Sequence, residues 1–157
     1  MKKKIAIFPG SFDPVTLGHY HLVKQALTLF DEIVIAIGEN SSKKSYFSLD
    51  KRLEFLHLTF ADFENVRVTH YTGTTIDFCK KENIFFILRG LRDGKDTENE
   101  RQLLQINQYL DKKIQTIFLM PNQPELYFVS STMIRELLKY NKNVQPFLPE
   151  KIKHEIF

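Results

Sequence analysis

Hydrophobic and polar positions follow two rhythms along this chain. Five short runs, Lys4–Phe8, Glu32–Ile37, Val66–His70, Phe85–Leu88 and Gln115–Met120, are rich in β-branched and aromatic residues and too short for buried helices. Each is predicted as a strand. Between them apolar residues recur at helical spacing. Leu22, Val23, Ala26, Leu27 and Phe30 form one face within a segment running from His19 to Phe30, and Leu53, Phe55, Leu56 and Phe60 form a second. Ile76, Phe78 and Cys79 mark a shorter helix; Leu103, Leu104, Ile106, Asn107 and Leu110 mark a longer one. Ser130-Ser131-Thr132 offers hydroxyls for an N-cap, which predicts a helix through about Tyr140, and Pro149 is placed to open a last short one at its first turn.

Alternation of strand and helix predicts an α/β fold: one Rossmann-like domain over residues 1–157, with a five-stranded parallel sheet, right-handed crossovers and helices on both faces. No repeat, low-complexity segment or linker interrupts it. In such sheets ligands bind outside the carboxyl ends of the strands. The loops to read are therefore Pro9–Gly18, Gly38–Phe47, Tyr71–Thr75, Arg89–Thr97 and Pro121–Val129.

Composition changes this picture only at its edges. A length of 157 residues suits one domain with a core that needs no staples. The net charge of +3 is too mild to argue for nucleic acid and suits small anionic substrates. Cys79 is the lone cysteine, which excludes an intrachain disulfide, fits a reducing compartment and reads as a small buried hydrophobe. No apolar run approaches the ~18 residues of a membrane span. Lys2-Lys3-Lys4 leads into a strand rather than the apolar core of a signal peptide. The expectation is a soluble cytoplasmic protein with neither membrane nor nucleic acid as partner.

Chemistry concentrates in the loops. Phe8-Pro9-Gly10-Ser11-Phe12-Asp13-Pro14-Val15-Thr16-Leu17-Gly18-His19 leaves a strand and enters a helix, so loop amides and a positive helix end lie together, as a phosphate requires. Thr16 and His19 add a hydroxyl and an imidazole, which makes a reaction site of it; taken alone, Pro9-Gly10 and Asp13-Pro14 also satisfy plain turn chemistry. Ser41-Ser42-Lys43-Lys44 reads in isolation as a solvated loop, and Tyr71-Thr72-Gly73-Thr74-Thr75 equally as a turn capping the next helix. Arg89-Gly90-Leu91-Arg92 places a guanidinium at each end of a strand exit, suited to phosphate oxygens or to ion pairing, and Gly90 is expected to let the backbone approach a ligand. Glu100 by itself is a surface carboxylate. Ser130, Ser131 and Thr132 cap a helix and also make an anion cradle.

His19 and His21, two apart on a helix, do not share a face, and no carboxylate or cysteine stands at ligand spacing, so no built-in zinc site is expected. There is no GxSxG, Cys/His or Walker pattern to supply a covalent nucleophile. Cations, hydroxyls, helix ends and one imidazole describe phosphate chemistry by positioning and charge neutralisation.

The first-loop signature ending in Thr16-x-Gly18-His19, with Arg89-Gly90-Leu91-Arg92 and Val129-Ser130-Ser131-Thr132-x-Ile134-Arg135 in the same order, resembles the HxGH nucleotidyltransferase superfamily. Within it the chain is similar, over essentially its whole length, to bacterial-type phosphopantetheine adenylyltransferases. Ser42-Lys43-Lys44, Phe118-Leu119-Met120-Pro121 and Phe147-Leu148-Pro149 fit as well. The resemblance implies transfer of the adenylyl group of ATP to 4′-phosphopantetheine, giving dephospho-coenzyme A and pyrophosphate in coenzyme A biosynthesis, by in-line attack without a covalent enzyme intermediate. It implies that His19 stabilises the transition state at the α-phosphate, that Ser11 meets both reacting phosphates, and that Lys43 and Arg89 hold the attacking one.

By the same resemblance ATP would be bound by Ser11, Phe12, His19, Gly90, Leu91, Arg92, Glu100, Leu126, Tyr127, Phe128, Val129, Ser130, Ser131 and Thr132. Phosphopantetheine would be bound by Ser11, Lys43, Thr75, Arg89, Leu103 and Asn107. Mg²⁺ would be held mainly by substrate phosphates, and the assembly would be a homohexamer. The chain departs from the family pattern at Thr74-Thr75, where an apolar pair is usual after the glycine, at Asn99, where an aromatic is common, and at Leu126-Tyr127, preceded by a loop one residue longer. Two alternatives stand beside this reading: a nicotinate mononucleotide adenylyltransferase of the same superfamily, which usually carries histidine where Thr16 stands, and a non-catalytic nucleotide sensor, which would lose His19 or the arginines.

Overall fold

The computed structural model describes residues 1–156. Strands β1 (Ile5–Gly10), β2 (Glu32–Gly38), β3 (Val66–Tyr71), β4 (Phe86–Gly90) and β5 (Gln115–Leu119) form one parallel sheet in the order β3-β2-β1-β4-β5. Helices α1 (Leu17–Ala26), α2 (Leu49–Thr59), α3 (Thr75–Glu82) and α4 (Gly94–Leu110) cross between strands, and α5 (Ser131–Lys139) follows β5.

The central strands read as continuous apolar runs because both faces are covered. Alternate residues serve opposite faces. Ala6, Phe8, Ile33, Ile35 and Ile37 join Leu22, Phe55, Leu56, Ile134 and Leu148 on the face of α1, α2 and α5. Ile7, Val34 and Ala36 join Ile76, Cys79, Ile87 and Ile114 on the face of α3. Cys79 is fully buried, and that burial pushes its thiol up to about 12.

Two strands run past the ends that their apolar runs predict. Pro9 and Gly10 still pair with Ala36 and Ile37, and Arg89 and Gly90 with Phe118 and Leu119. Residues expected in loops thus stand on strand ends, because ladder pairing continues where hydrophobic side chains stop. Between β1 and β4 the ladder instead ends early, at Ala6↔Phe86 and Ile7↔Ile87. The Pro9 carbonyl accepts from the Arg89 side chain, so it faces β4. A strand residue turns its C=O and its nitrogen to the same side, and the proline nitrogen has no hydrogen to donate there. The sheet therefore splits at its centre, where strand order reverses, the place where open α/β sheets hold their ligands.

Helix α2 packs the face its pattern predicts: Phe55, Leu56 and the C-cap Phe60 are buried and Leu53 is partly covered against the same core. Arg52 and Thr59 extend that stripe, giving Arg52, Phe55, Leu56 and Thr59 at i, i+3, i+4 and i+7. Helix α4 buries only Asn107; its apolar residues Leu103, Ile106 and Leu110 face outward. Pro149 precedes the final 3-10 turn, Glu150–Ile152, as its cap rather than occupying the first turn.

Candidate active site

Helix α1 begins with a capping box in which an imidazole takes the place usually held by Glu or Gln. The Thr16 hydroxyl accepts from the His19 N–H at 3.3 Å, and Nδ1 of His19 accepts from the Thr16 N–H at 3.0 Å. A backbone N–H can only donate, so Nδ1 carries no proton and the neutral ring keeps its hydrogen on Nε2. Burial first, then the positive charges of Arg92 and Arg89, push the His19 pKa from 6.5 down to about 3. The ring packs edge-on to Phe12 at 4.9 Å and against Phe8 at 6.0 Å. The outcome is a fixed, uncharged Nε2–H donor on the wall of a cleft.

The loop before it is clamped from two sides. Phe12 holds φ at 45°, in the left-handed region, and is buried. The buried Asp13 carboxylate accepts from the N–H groups of Tyr46 and Phe47 at 2.7 and 2.8 Å, which ties the first loop to the second. From α5, Arg135 donates to the Asp13 carbonyl at 2.7 Å and the Ser131 hydroxyl to the Pro14 carbonyl at 2.7 Å. Sequence reasoning gave Asp13 and Arg135 no role. Their signal was present in the motifs: a carboxylate inside an apolar loop, and an arginine one turn into a capped helix.

Ion pairing, one of the two alternatives for the arginine pair, is realised at both residues. Arg89 forks onto Glu100 through Nε at 2.9 Å and Nη2 at 2.6 Å, with Nη1 donating to the Pro9 carbonyl at 3.0 Å. Glu100 is thus a largely buried partner of Arg89, not a surface carboxylate. Arg92 pairs with Asp96 at 3.1 Å and donates to the Val129 carbonyl at 3.0 Å. Yet both arginines line open space.

That space is two clefts. The first, about 350 Å³, is lined by Ser11, Phe12, His19, Arg89, Gly90, Arg92, Glu100, Leu126, Val129, Ser130, Ser131 and Thr132, together with Arg135. The second, about 640 Å³, is lined by Ser11, Lys43, Thr75 and Arg89, together with Glu39, Arg52 and Tyr71. Pro9, Gly10, Ser11 and Arg89 belong to both, so the clefts meet at the split between β1 and β4. Free N–H groups of the first turn of α5 and its positive end lie beside the first cleft.

Several expected contacts are placed elsewhere. Leu91, Tyr127 and Phe128 are absent from the lining: the Leu91 N–H bonds the Leu119 carbonyl, and the Phe128 ring packs edge-to-face with Phe147 at 5.8 Å. Leu103 and Asn107 line neither cleft, Leu103 because it faces outward and Asn107 because it is buried in packing. Gly90 does line the first cleft, but an added Cβ would meet Leu22 Cδ2 at 2.9 Å, so the close approach it permits is that of α1. The three hydroxyls are already engaged: Ser130 caps α5, Ser131 donates to Pro14, and Thr132 accepts from Arg135 at 3.2 Å. In the third loop Gly73, at φ 83°, makes the turn and Thr74 caps α3, while the Thr75 hydroxyl meets Tyr71 at 2.7 Å inside the second cleft. Among the described residues no three His, Cys, Asp or Glu converge on a metal position, and no helix is long and apolar enough to cross a membrane.

The model of the cytidylyltransferase-like family matches residues 7–137, the stretch that carries the imidazole and two guanidiniums at the opening of the split sheet, and places the chain among the cytidylyltransferase-like proteins. Solved structures share the fold. One from Vibrio parahaemolyticus, put forward as a nicotinate-nucleotide adenylyltransferase, superposes with a TM-score of 0.72 at 18% identity over 99% of both chains. A bifunctional NMN adenylyltransferase/ADP ribose pyrophosphatase from Francisella tularensis gives 0.72 at 14% identity over 96% of this chain and 46% of its own. At those identities the likeness speaks for the fold alone. Sequence relatives go further: phosphopantetheine adenylyltransferases of Christiangramia forsetii and Phocaeicola vulgatus are 47% and 49% identical, over 98% and 94% of this chain and 99% and 97% of theirs. The chain belongs to the phosphopantetheine adenylyltransferase family.

Proposed function

We propose that the chain transfers the adenylyl group of ATP to 4′-phosphopantetheine, releasing pyrophosphate and giving dephospho-coenzyme A, a step of coenzyme A biosynthesis. The observation that carries the reading at the level of the site is the meeting of two clefts at Ser11 and Arg89. ATP occupies the first cleft, with its triphosphate toward Arg92 and the start of α5. The acceptor occupies the second, its phosphate between Lys43, Ser11 and Arg89.

The attacking group is already an anion, so cations and alignment matter more than a general base. An oxygen of the acceptor phosphate forms a bond to the α-phosphorus in line, and the bond from that phosphorus to the pyrophosphate oxygen breaks. Nε2–H of His19 donates to the α-phosphate oxygens as charge gathers on them. Being neutral and fixed, it does so without a proton transfer or a change of tautomer. Arg89, held by Glu100 and the Pro9 carbonyl, keeps its charge at the junction of the two substrates.

The described residues build no cage for Mg²⁺, since Asp96 and Glu100 are both committed to arginines. The ion belongs instead to the substrate, entering on ATP phosphates whose charge it neutralises. A homohexamer in the cytoplasm completes the reading; the outward apolar residues of α4 support assembly of copies.

Incubating the protein with Mg²⁺, ATP and either 4′-phosphopantetheine or nicotinate mononucleotide, with products identified by mass spectrometry, tests the proposal. Dephospho-coenzyme A from the first acceptor alone is expected. Product from the second alone would overturn the acceptor and keep the chemistry; ATP binding without product from either would leave a nucleotide sensor.

A further inference from the structure

Helix α2 turns a guanidinium, beside its hydrocarbon, toward the sheet. Arg52 shares the inward stripe with Phe55 and Leu56, and only 7% of it is exposed. Its Nη1 donates to the Ser11 carbonyl at 2.8 Å, and its Nε is buried with no partner among the described residues. Arg89 and Arg92 are each matched by a carboxylate. Arg52 pairs with none among the described residues, although it lines the second cleft beside Lys43, Ser11 and Arg89. Burying a cation without a counter-charge costs stability, and apolar residues of similar size commonly serve a core better. The arrangement makes sense if the missing counter-charge arrives with a ligand.

We propose that Arg52 is an anion-positioning residue of the second cleft: one nitrogen fixes the Ser11 carbonyl, and the uncompensated charge draws the acceptor's phosphate against the Ser11 loop. Naming that acceptor 4′-phosphopantetheine rests on the reaction proposed above; the placement of an anion beside Arg52 rests on the cleft alone. A strut for the loop, indifferent to ligand, is the competing role.

The two roles separate in the variants Arg52→Met and Arg52→Lys, measured by thermal unfolding with and without inorganic phosphate and by steady-state kinetics. Arg52→Met is expected to melt at or above the wild-type temperature in phosphate-free buffer, because a buried unpaired charge is gone. It should also lose most of the phosphate-induced rise in Tm. Its KM for 4′-phosphopantetheine should climb about tenfold or more, the scale of one charge-assisted contact, with the KM for ATP changed less than about twofold. Arg52→Lys keeps the charge and should recover most of the phosphate response; it carries the test if the Met variant does not fold. An undiminished phosphate response in Arg52→Met, its loss in Arg52→Lys, or no response in the wild type would overturn the proposal. So would equal rises in both KM values. A phosphate response that depends on Arg52, in a protein that makes no dephospho-coenzyme A, would sink the reaction and leave the anion site standing.

Discussion

Because the Thr16 N–H occupies Nδ1, His19 can offer only Nε2–H to the cleft, and with a pKa near 3 it offers it uncharged across the physiological range. His19→Ala should therefore lower kcat by ~10²-fold or more, as loss of one oxyanion donor does, with little change in ATP affinity by calorimetry; unchanged turnover would remove it from the mechanism. The same geometry sets a pH test. The folded-state pKa lies below the ordinary 6.5, so as pH falls the unfolded chain takes the proton first. Whatever His19 contributes to folding is whole above about pH 6.5 and drains away from there down toward pH 3. The His19 Cε1–H resonance should accordingly hold its neutral position from pH 8 to 5, and a midpoint near 6.5 would contradict the assigned burial. Lys43 makes a further contrast at this scale: unlike Arg89 it lines the second cleft only. Lys43→Ala should raise the KM for the acceptor and spare that for ATP, whereas Arg89→Ala should raise both.

Elements are joined at this site by short bonds from single residues, and Asp13 joins three. Its carboxylate holds the segment entering α2 and its carbonyl receives Arg135 from α5. Asp13→Ala would strand two backbone N–H groups that now meet a charge, an expected loss of about 2–4 kcal/mol in urea unfolding. Asn, keeping one acceptor oxygen, should fall between; a loss below about 1 kcal/mol for Ala would show that water replaces the carboxylate freely. Elements of this kind are legible in the sequence where burial alone decides them. The five strands and the parallel sheet could be read because β1 and β2 are covered on both faces and β4 is largely so, which leaves an apolar run in each. Strand ends could not, since Pro9, Gly10, Arg89 and Gly90 are held by ladder pairing that side-chain polarity does not report. The apolar face of α2 could be read as well, but its charge hid Arg52, which belongs to the same buried stripe. Most of the site was carried by motif residues, but Leu103 and Asn107 were placed by pattern and resemblance. Neither reports whether an apolar stripe meets its own sheet, a ligand or another molecule.

That ambiguity is resolved only at the scale of the whole molecule. A compact monomer of 18.5 kDa is expected to expose about 8,200 Å², and this chain exposes 9458 Å². Part of the excess is apolar and ordered: Leu103, Ile106 and Leu110 line one face of α4, with Tyr109 beside them, 57% of Ile106 and 88% of Tyr109 being exposed. From the same helix Glu100, one turn before Leu103, reaches Arg89. Covering the outer face with another copy would therefore also steady the carboxylate that aims the guanidinium at the clefts. Light scattering at micromolar protein should give a mass several times that of one chain, six by the homohexamer proposed here, and thermal unfolding should shift upward with protein concentration. Ile106→Glu places a charge on that face without touching either cleft. It should reduce the mass and, through a looser α4, weaken the acceptor more than an equivalent charge on the exposed Leu29 would. A monomer in the wild type would refute the assembly. An Ile106→Glu protein that dissociates but binds acceptor undiminished would show that the outer face of α4 and its Glu100 act independently.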